Sequence, residues 1–285
     1  MESNSPISRH FTIGGHEVGD GTLLWILGPC VLETDDITLR VAETLAEQAG
    51  KQGRRVVFKS SYAKANRLRA DSYSGPGLED GLRTLERVRG ETGLPVTTDV
   101  HTPAEVDAVA SVVDLVQIPA FLCRQTDLLV TAAKSGKPLN IKKGQYLAAY
   151  DMAHIADKAI RAGNDKVMLT ERGSTFGYGD LVVDFRSLPV MRASGFPVCY
   201  DASHSVQTPG SSGGQSGGKR EFLLPLLRAA LAVGVDAVFC EMHPDPPKAL
   251  CDRETQWPLS RLMEVWETAD RLTEMAAAHA GTVHG

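Results

Sequence analysis

Eight short apolar runs, each followed by a longer amphipathic segment, constrain this chain more than any other feature of it. The runs fall at residues 23–27, 56–58, 96–98, 115–118, 139–141, 167–170, 198–200 and 237–240. They are too apolar for a sheet with one solvated face, and read as strands buried on both sides. The segments 36–48, 78–89, 103–112, 127–134, 149–162, 181–193, 220–233 and 259–278 carry apolar residues at helical spacing. Strands alternating with helices in this way make a parallel sheet covered by helices. Eight units favour closure into a (β/α)8 barrel, the TIM-barrel architecture. No Gly-rich dinucleotide fingerprint follows the first run, which disfavours an open doubly wound sheet. A chain of 285 residues suits one such barrel, so residues 1–285 are expected to form a single domain. Within it, 1–22 form an N-terminal extension. Residues 1–8 are polar and expected to fray, and 11–21, with Gly14-Gly15 and Gly19-Asp20-Gly21, suit a small hairpin.

Charge and cysteine usage narrow the function classes. The net charge is -5, so no global positive field backs a nucleic-acid surface, and any anion site must be a local pocket. No apolar stretch is long enough to span a bilayer, and residues 1–11 lack a charged-then-apolar leader. Five irregularly spaced cysteines do not make a disulfide framework. These features together point to a reducing cytoplasm.

In a barrel of this kind the chemistry sits at the carboxyl ends of the strands. Here those ends read GPCVLE, KSSYAKANR, TDVH, QIPAFLCRQTD, KKGQ, TERG, DASH and EMHPD. Ordinary turn residues would not include so many Lys, Arg, His and acidic side chains. Two constellations follow from closure. Lys59 and Lys64 from the second strand end, Lys142 from the fifth and Arg172 from the sixth converge at the mouth. Gln117 and the backbone of 118–120 lie between them. Several fixed cations at one rim suit a small molecule bearing carboxylate and phosphate. Strand alternation turns Lys143 away if Lys142 points in.

The second constellation is metal-like. Closure places the eighth strand between the seventh and the first, so Cys30, His204, Glu241 and Asp252 meet at one seam. A thiolate, an imidazole and two carboxylates suit zinc, iron or manganese. Taken singly, a strand-end Cys is usually a small core residue and a strand-end His a satisfied hydrogen-bonding group; convergence is what favours ligation. Cys251, beside Asp252, competes as the sulfur donor. Cys123, Cys199 and Cys240 read as structural, with Cys240 facing the helices one residue before Glu241. The Gly/Ser-rich 209–218 is either a linker or a mobile cover over the active face. Residues 173–179 read as a more structured loop.

Taken together, GPCVLE, FKSSYAKANR, SYSGPGLEDGL, TDVHTP, QIPAFLCRQTDLL, NIKK, ERGSTFGYGDLVVD, DASHS and EMHPDP resemble the 3-deoxy-D-manno-octulosonate 8-phosphate synthase family. The resemblance runs in order over roughly residues 26–259. It implies a (β/α)8 barrel, usually a homotetramer, that condenses phosphoenolpyruvate with arabinose 5-phosphate for lipopolysaccharide synthesis. It also implies that Lys59, Ser61, Lys64, Gln117, Ala120, Lys142 and Arg172 contact phosphoenolpyruvate, with His204 nearby. Asn66 and Arg67 would hold the sugar phosphate beside Ser60, while Phe121 and Arg124 would reach a neighbouring subunit's site. Lys59, Lys64, Lys142, His204 and Asp252 form the implied catalytic set.

The family has metal-dependent members with Cys in the GPC position and metal-independent members with Asn there. Cys30 resembles the metal-dependent type, with His204, Glu241 and Asp252 as the other ligands of a divalent ion. Metal-independent members tend to show Cys-Asp-Gly where this chain has Cys251-Asp252-Arg253, and the following Glu254-Thr255-Gln256 resembles the metal-dependent pattern. A related synthase that uses erythrose 4-phosphate carries Lys-Pro-Arg-Thr in place of Lys64-Ala65-Asn66-Arg67. A catalytically silent phosphosugar-binding barrel is the rival from another class, disfavoured because both cations and metal ligands are intact.

Overall fold

A computed structural model describes residues 10–65, 71–175, 179–212 and 215–280. The chain opens with an antiparallel hairpin, β1 (Phe11–Ile13) and β2 (His16–Val18). The barrel strands then follow in order. They are β3 (Leu24–Gly28), β4 (Arg55–Lys59), β5 (Val96–Asp99), β6 (Leu115–Ile118), β7 (Leu139–Lys142) and β8 (Val167–Glu171). After a small ribbon of β9 (Ser174–Thr175) and β10 (Leu181–Val182) comes β11 (Val198–Asp201). A second ribbon, β12 (Gln207–Ser212) and β13 (Gln215–Gly218), precedes β14 (Ala237–His243), which the short β15 (Trp257–Pro258) extends. Each barrel strand pairs in parallel with the next, and β14 pairs with both β11 and β3, closing an eight-stranded ring.

The helices between them are α1 (Asp35–Gln52), α2 (Leu78–Thr92), α3 (Val106–Val112), α4 (Thr126–Lys134), α5 (Asp151–Arg161), α6 (Ser187–Ala193), α7 (Leu223–Val233) and α8 (Leu262–Ala280). Local signals set their ends. Thr34 accepts the Ile37 N–H as N-cap of α1, Asp35 and Asp36 face the positive end of the helix dipole, and Gly53 closes the helix in the left-handed region. The final helix lies over the first barrel strand. Trp266 of α8 packs edge-on against Trp25 of β3 with ring centroids 6.4 Å apart, a contact worth about 0.5–1.5 kcal/mol beyond its area.

Alternation along the strands divides the core in two. Leu24, Ile26, Val57, Leu115, Met168, Cys199, Ala237 and Phe239 fill the barrel interior, and Phe11, Ile13 and Val18 of the hairpin pack into the same cluster. The opposite strand faces, including Phe58, Ile141 and Cys240, pack under the helices. Cys240 packs under the helices as expected, and Cys199 lies in the barrel interior.

Several expected elements differ in detail. The helix expected at 181–193 begins only at Ser187, because Leu181 and Val182 pair with Ser174 and Thr175 instead. The helices expected from 103 and 220 begin with a tight 3-10 turn before α3 and α7. The segment 209–218, expected as a linker or cover, is largely the β12–β13 ribbon rising from the active face. Residues 1–8 lie outside the described residues. No described helix is long and apolar enough to cross a membrane.

Candidate active site

At the carboxyl end of the barrel a cavity of about 300 Å³ opens between the strand ends. Inward parity carries Lys59, Lys142 and Arg172 to it, with Lys64, Gln117 and Ala120 on its walls. Each cation is held differently. Lys59 is 1% exposed and its Nζ donates to Glu241 Oε1 and to the Cys30 carbonyl, both at 2.9 Å. Lys142 donates to Asp201 and stands 3.4 Å from the centre of the Phe239 ring. Burial lowers the Lys142 pKa, and Asp201 pulls against that shift. Lys64 lies 4.0 Å from Glu241 Oε1.

Arg172 is 5% exposed, and its Nη2 donates to Gln207 Oε1 at 2.8 Å. Its Nε and Nη1 are buried with no protein partner. A buried guanidinium on a cavity wall with unpaired donors suits an anion, since each unmet buried donor costs about 1–3 kcal/mol. Lys143 faces the other way, as alternation predicts. It is buried 3.5 Å from Glu171, whose Oε1 also accepts the N–H groups of Arg172 and Gly173.

The neighbouring wall carries residues that sequence reasoning left without a role. Asp99, at the end of β5, accepts from Ser61 Oγ and lies 3.0 Å from His101 Nε2. His101 Nδ1 is 3.6 Å from Glu105 Oε2. Burial opposes ionisation of Asp99, but His101, Lys64 and Lys59 outweigh it and hold the carboxyl far below the ordinary range. Burial likewise disfavours the His101 imidazolium, and the Asp99 and Glu105 carboxylates outweigh it, so its pKa is raised. Parity could have found Asp99, because Lys59 is inward and its ladder partner Thr97 is two residues before Asp99.

The metal-like seam lies beside this pocket. Cys30 Sγ is 3.4 Å from Asp252 Oδ2 and 2.7 Å from Cys251 Sγ. His204 Nε2 is 3.7 Å from both Glu241 Oε1 and Asp252 Oδ2, while its Nδ1 is 2.8 Å from Asp201 Oδ2. A carboxylate on Nδ1 orients the ring and leaves Nε2 for a ligand. The donors fall into two triads sharing Asp252: Cys30, Cys251 and Asp252, and His204, Glu241 and Asp252. Within each triad the donor atoms lie within 4.8 Å of one another. Glu241 Oε2 is buried without a partner, and Asp252 is the one described non-glycine residue with positive φ, +44°. Thiol, imidazole and carboxylates around an orphaned carboxylate oxygen fit a divalent ion. Burial opposes ionisation of Glu241, yet the charges of Lys59, His204 and Lys64 hold its carboxyl well below the usual range.

Not every expected residue reaches the cavity. Ser60 is fully buried with its hydroxyl unpartnered, while Phe121 lines the mouth and is 54% exposed. Arg124 lies on the surface. Asn66 and Arg67 lie outside the described residues. Asp201 and Gln207 were missed, although Asp201 follows the inward Cys199 by two. Gln207 could not be found that way, because its role depends on where the ribbon rises. Its amide accepts from Arg172 and donates to Asp252 Oδ2 at 2.9 Å, joining the cation pocket to the seam.

Fold and site define a (β/α)8 barrel with a cationic pocket at its mouth beside a seam of side chains that could hold a metal ion. The chain belongs to the DAHP synthetase I family, whose sequence model matches residues 7–278. It is 52% identical over 262 residues to a protein of Syntrophotalea carbinolica, covering 92% of each chain. It is 51% identical over 272 residues to one of Alkalilimnicola ehrlichii, covering 95% of this chain and 98% of the other. With one of Desulfotalea psychrophila it shares 54% identity over 249 residues, 87% and 89% of the two chains. All three are named 2-dehydro-3-deoxyphosphooctonate aldolase.

Proposed function

We propose that this chain condenses phosphoenolpyruvate with D-arabinose 5-phosphate and water, giving 3-deoxy-D-manno-octulosonate 8-phosphate and inorganic phosphate. The observation that carries the reading is the convergence of Lys59, Lys142 and Arg172 on one cavity, in a chain about half identical to proteins of that name. C3 of phosphoenolpyruvate forms the new bond to the aldehyde carbon of the sugar. Water adds at C2, and the hemiketal phosphate loses inorganic phosphate by C–O cleavage.

Lys59, Lys64, Lys142 and Arg172 bind the carboxylate and phosphate of phosphoenolpyruvate, with Ser61, Gln117 and Ala120 completing its site. Their charges are already in place, so the charge that develops in the transition state is met without reorganisation. His204 and Asp252 border the reacting carbons, with His204 held by Asp201. The sugar phosphate falls to Asn66 and Arg67, beside Ser60. Pro209 and Gly210 line the pocket, and a cover formed by 209–218 would exclude water from the hemiketal.

A divalent ion (zinc, iron or manganese) held by Cys30, His204, Glu241 and Asp252 would supply Lewis acidity toward the sugar aldehyde or the attacking water. The whole chain acts as one barrel domain. It assembles as a homotetramer in which Phe121 and Arg124 reach neighbouring sites, and it works in the cytoplasm in lipopolysaccharide synthesis. The exposed Phe121 at the mouth supports that assembly.

The test is phosphate release from phosphoenolpyruvate with arabinose 5-phosphate, before and after chelation, with divalent ions added back. Release lost to chelation and restored by the ion supports both the acceptor and the seam. Release indifferent to chelation keeps the synthase and removes the ion from it. Release with erythrose 4-phosphate alone overturns the acceptor, and none under any condition leaves a silent barrel.

A further inference from the structure

The two cysteines flanking the seam need not have met. Cys30 lies two residues beyond β3, and Cys251 lies in the loop after β14, 221 residues further on. Both are buried, at 0% and 3% exposure, and their sulfurs are 2.7 Å apart. The approach is built by a third residue. Gln256, fully buried, accepts the Cys30 N–H on Oε1 at 3.2 Å and donates from Nε2 to the Cys251 carbonyl at 2.8 Å. A side-chain amide, being donor and acceptor at once, can tie an N–H to a C=O in this way. The same loop turns back on itself, the N–H groups of Thr255 and Gln256 bonding to the Asp252 carbonyl. Asp252, held at φ +44°, then aims Oδ2 at Cys30 from 3.4 Å.

We propose that Cys251 is a second sulfur ligand, so that the ion of this seam is held by the thiolates of Cys30 and Cys251 together with Asp252. Asp252 also belongs to the His204–Glu241 triad, and that side completes the coordination. The proposal rests on the reading that the seam holds a divalent ion, and it deepens that reading by specifying the donor set. The geometry is close to what an ion needs. Two thiolates on a tetrahedral zinc, each at ~2.3 Å, are roughly 3.8 Å apart, so the sulfurs part by about 1 Å on binding. That is within the reach of a small χ1 rotation on each cysteine. Two thiolates also change the selectivity. They make the seam soft, favouring zinc or cadmium over manganese, whereas one thiolate among oxygen and nitrogen donors leaves manganese and iron competitive.

The experiment counts sulfurs and is independent of turnover. The full-length chain is stripped with a chelator, kept reduced and loaded with one equivalent of zinc. X-ray absorption fine structure at the zinc edge is then measured for the unchanged chain, Cys251→Ser and Cys30→Ser. Two sulfurs per zinc in the unchanged chain and one in each variant are expected. Zinc affinity, read by competition with a chromophoric chelator, should fall at least tenfold in Cys251→Ser. One sulfur in the unchanged chain, still one in Cys251→Ser, overturns the proposal and leaves the divalent-ion reading standing. A chain that retains no zinc at all overturns both, so the two failures are distinguishable. Because the unchanged chain alone gives a sulfur count of one or two, the test stands even if a variant folds poorly.

Discussion

Replacing Gly28 by alanine should separate the first two barrel strands where they deliver Lys59 to the site. Gly28 ends β3 at φ +151°, and a Cβ built there would lie 2.1 Å from the Lys59 carbonyl oxygen and 3.1 Å from its nitrogen. These are backbone atoms of the neighbouring strand, so no rotamer change relieves the clash. Ordinary contact begins near 3.4 Å, so the strands must part by 3.4 − 2.1 = 1.3 Å. Overpacking of this kind costs roughly 1–3 kcal/mol and the unfavourable φ roughly 1–3 more, about 2–6 kcal/mol in all. For a chain of this size that lowers Tm by roughly 5–20 °C. Gly15→Ala is the control, because Gly15 also has positive φ (+87°) but nothing within 4 Å of its Cβ. Thermal unfolding of the two variants therefore separates strain from clash. Gly28→Ala should lose clearly more than Gly15→Ala, and any activity left should be lower than its folded fraction explains, since Lys59 has moved. Equal Tm values for the two variants would refute the close-approach argument.

Arg172→Lys keeps the charge but removes the fork. Losing one or more charge-assisted bonds, about 1.5–3 kcal/mol each, should raise the KM for phosphoenolpyruvate roughly 10- to 150-fold while moving that for arabinose 5-phosphate far less. Arg67→Ala and Asn66→Ala should do the reverse, and steady-state kinetics showing equal effects on both substrates would contradict the assignment. The Asp99–His101 pair should stabilise the fold within a pH window. The depressed Asp99 pKa makes its contribution present above about pH 4 and lost on acidification. The raised His101 pKa makes its contribution full below about pH 6.5 and lost as pH rises through the folded value. Urea unfolding should therefore show a larger gap between the unchanged chain and His101→Gln at pH 5.5 than at pH 9, and a constant gap would remove the ion pair from the account.

Much of this architecture was legible in the residues alone, because strand and helix periods are local. Apolar runs separated by amphipathic segments gave eight strands, and alternation along them set Lys142 and Lys143 on opposite faces, while the Lys143–Glu171 contact had no local signal. The same rule turned Cys240 toward the helices. Misreadings fell where a segment had two local options. Residues 181–182 suit a helix start by pattern, but the ribbon partner supplied by Ser174 and Thr175 made them a strand.

The site shows the same division. Closure of a barrel sets the ends of the first, seventh and eighth strands side by side, which was readable from strand order, and the donors there fall into two triads that share Asp252. Closure does not say how loops between strands run, and hydrogen-bond partners on those loops are non-local. The Gln207 bridge from Arg172 to Asp252, the Ser61–Asp99–His101 wall and the Gln256 tie that sets Cys30 against Cys251 all depend on such paths. Sequence period determined which side chains face the barrel mouth. Only tertiary structure decided which of them touch, because a contact between residues 221 apart has no local signature.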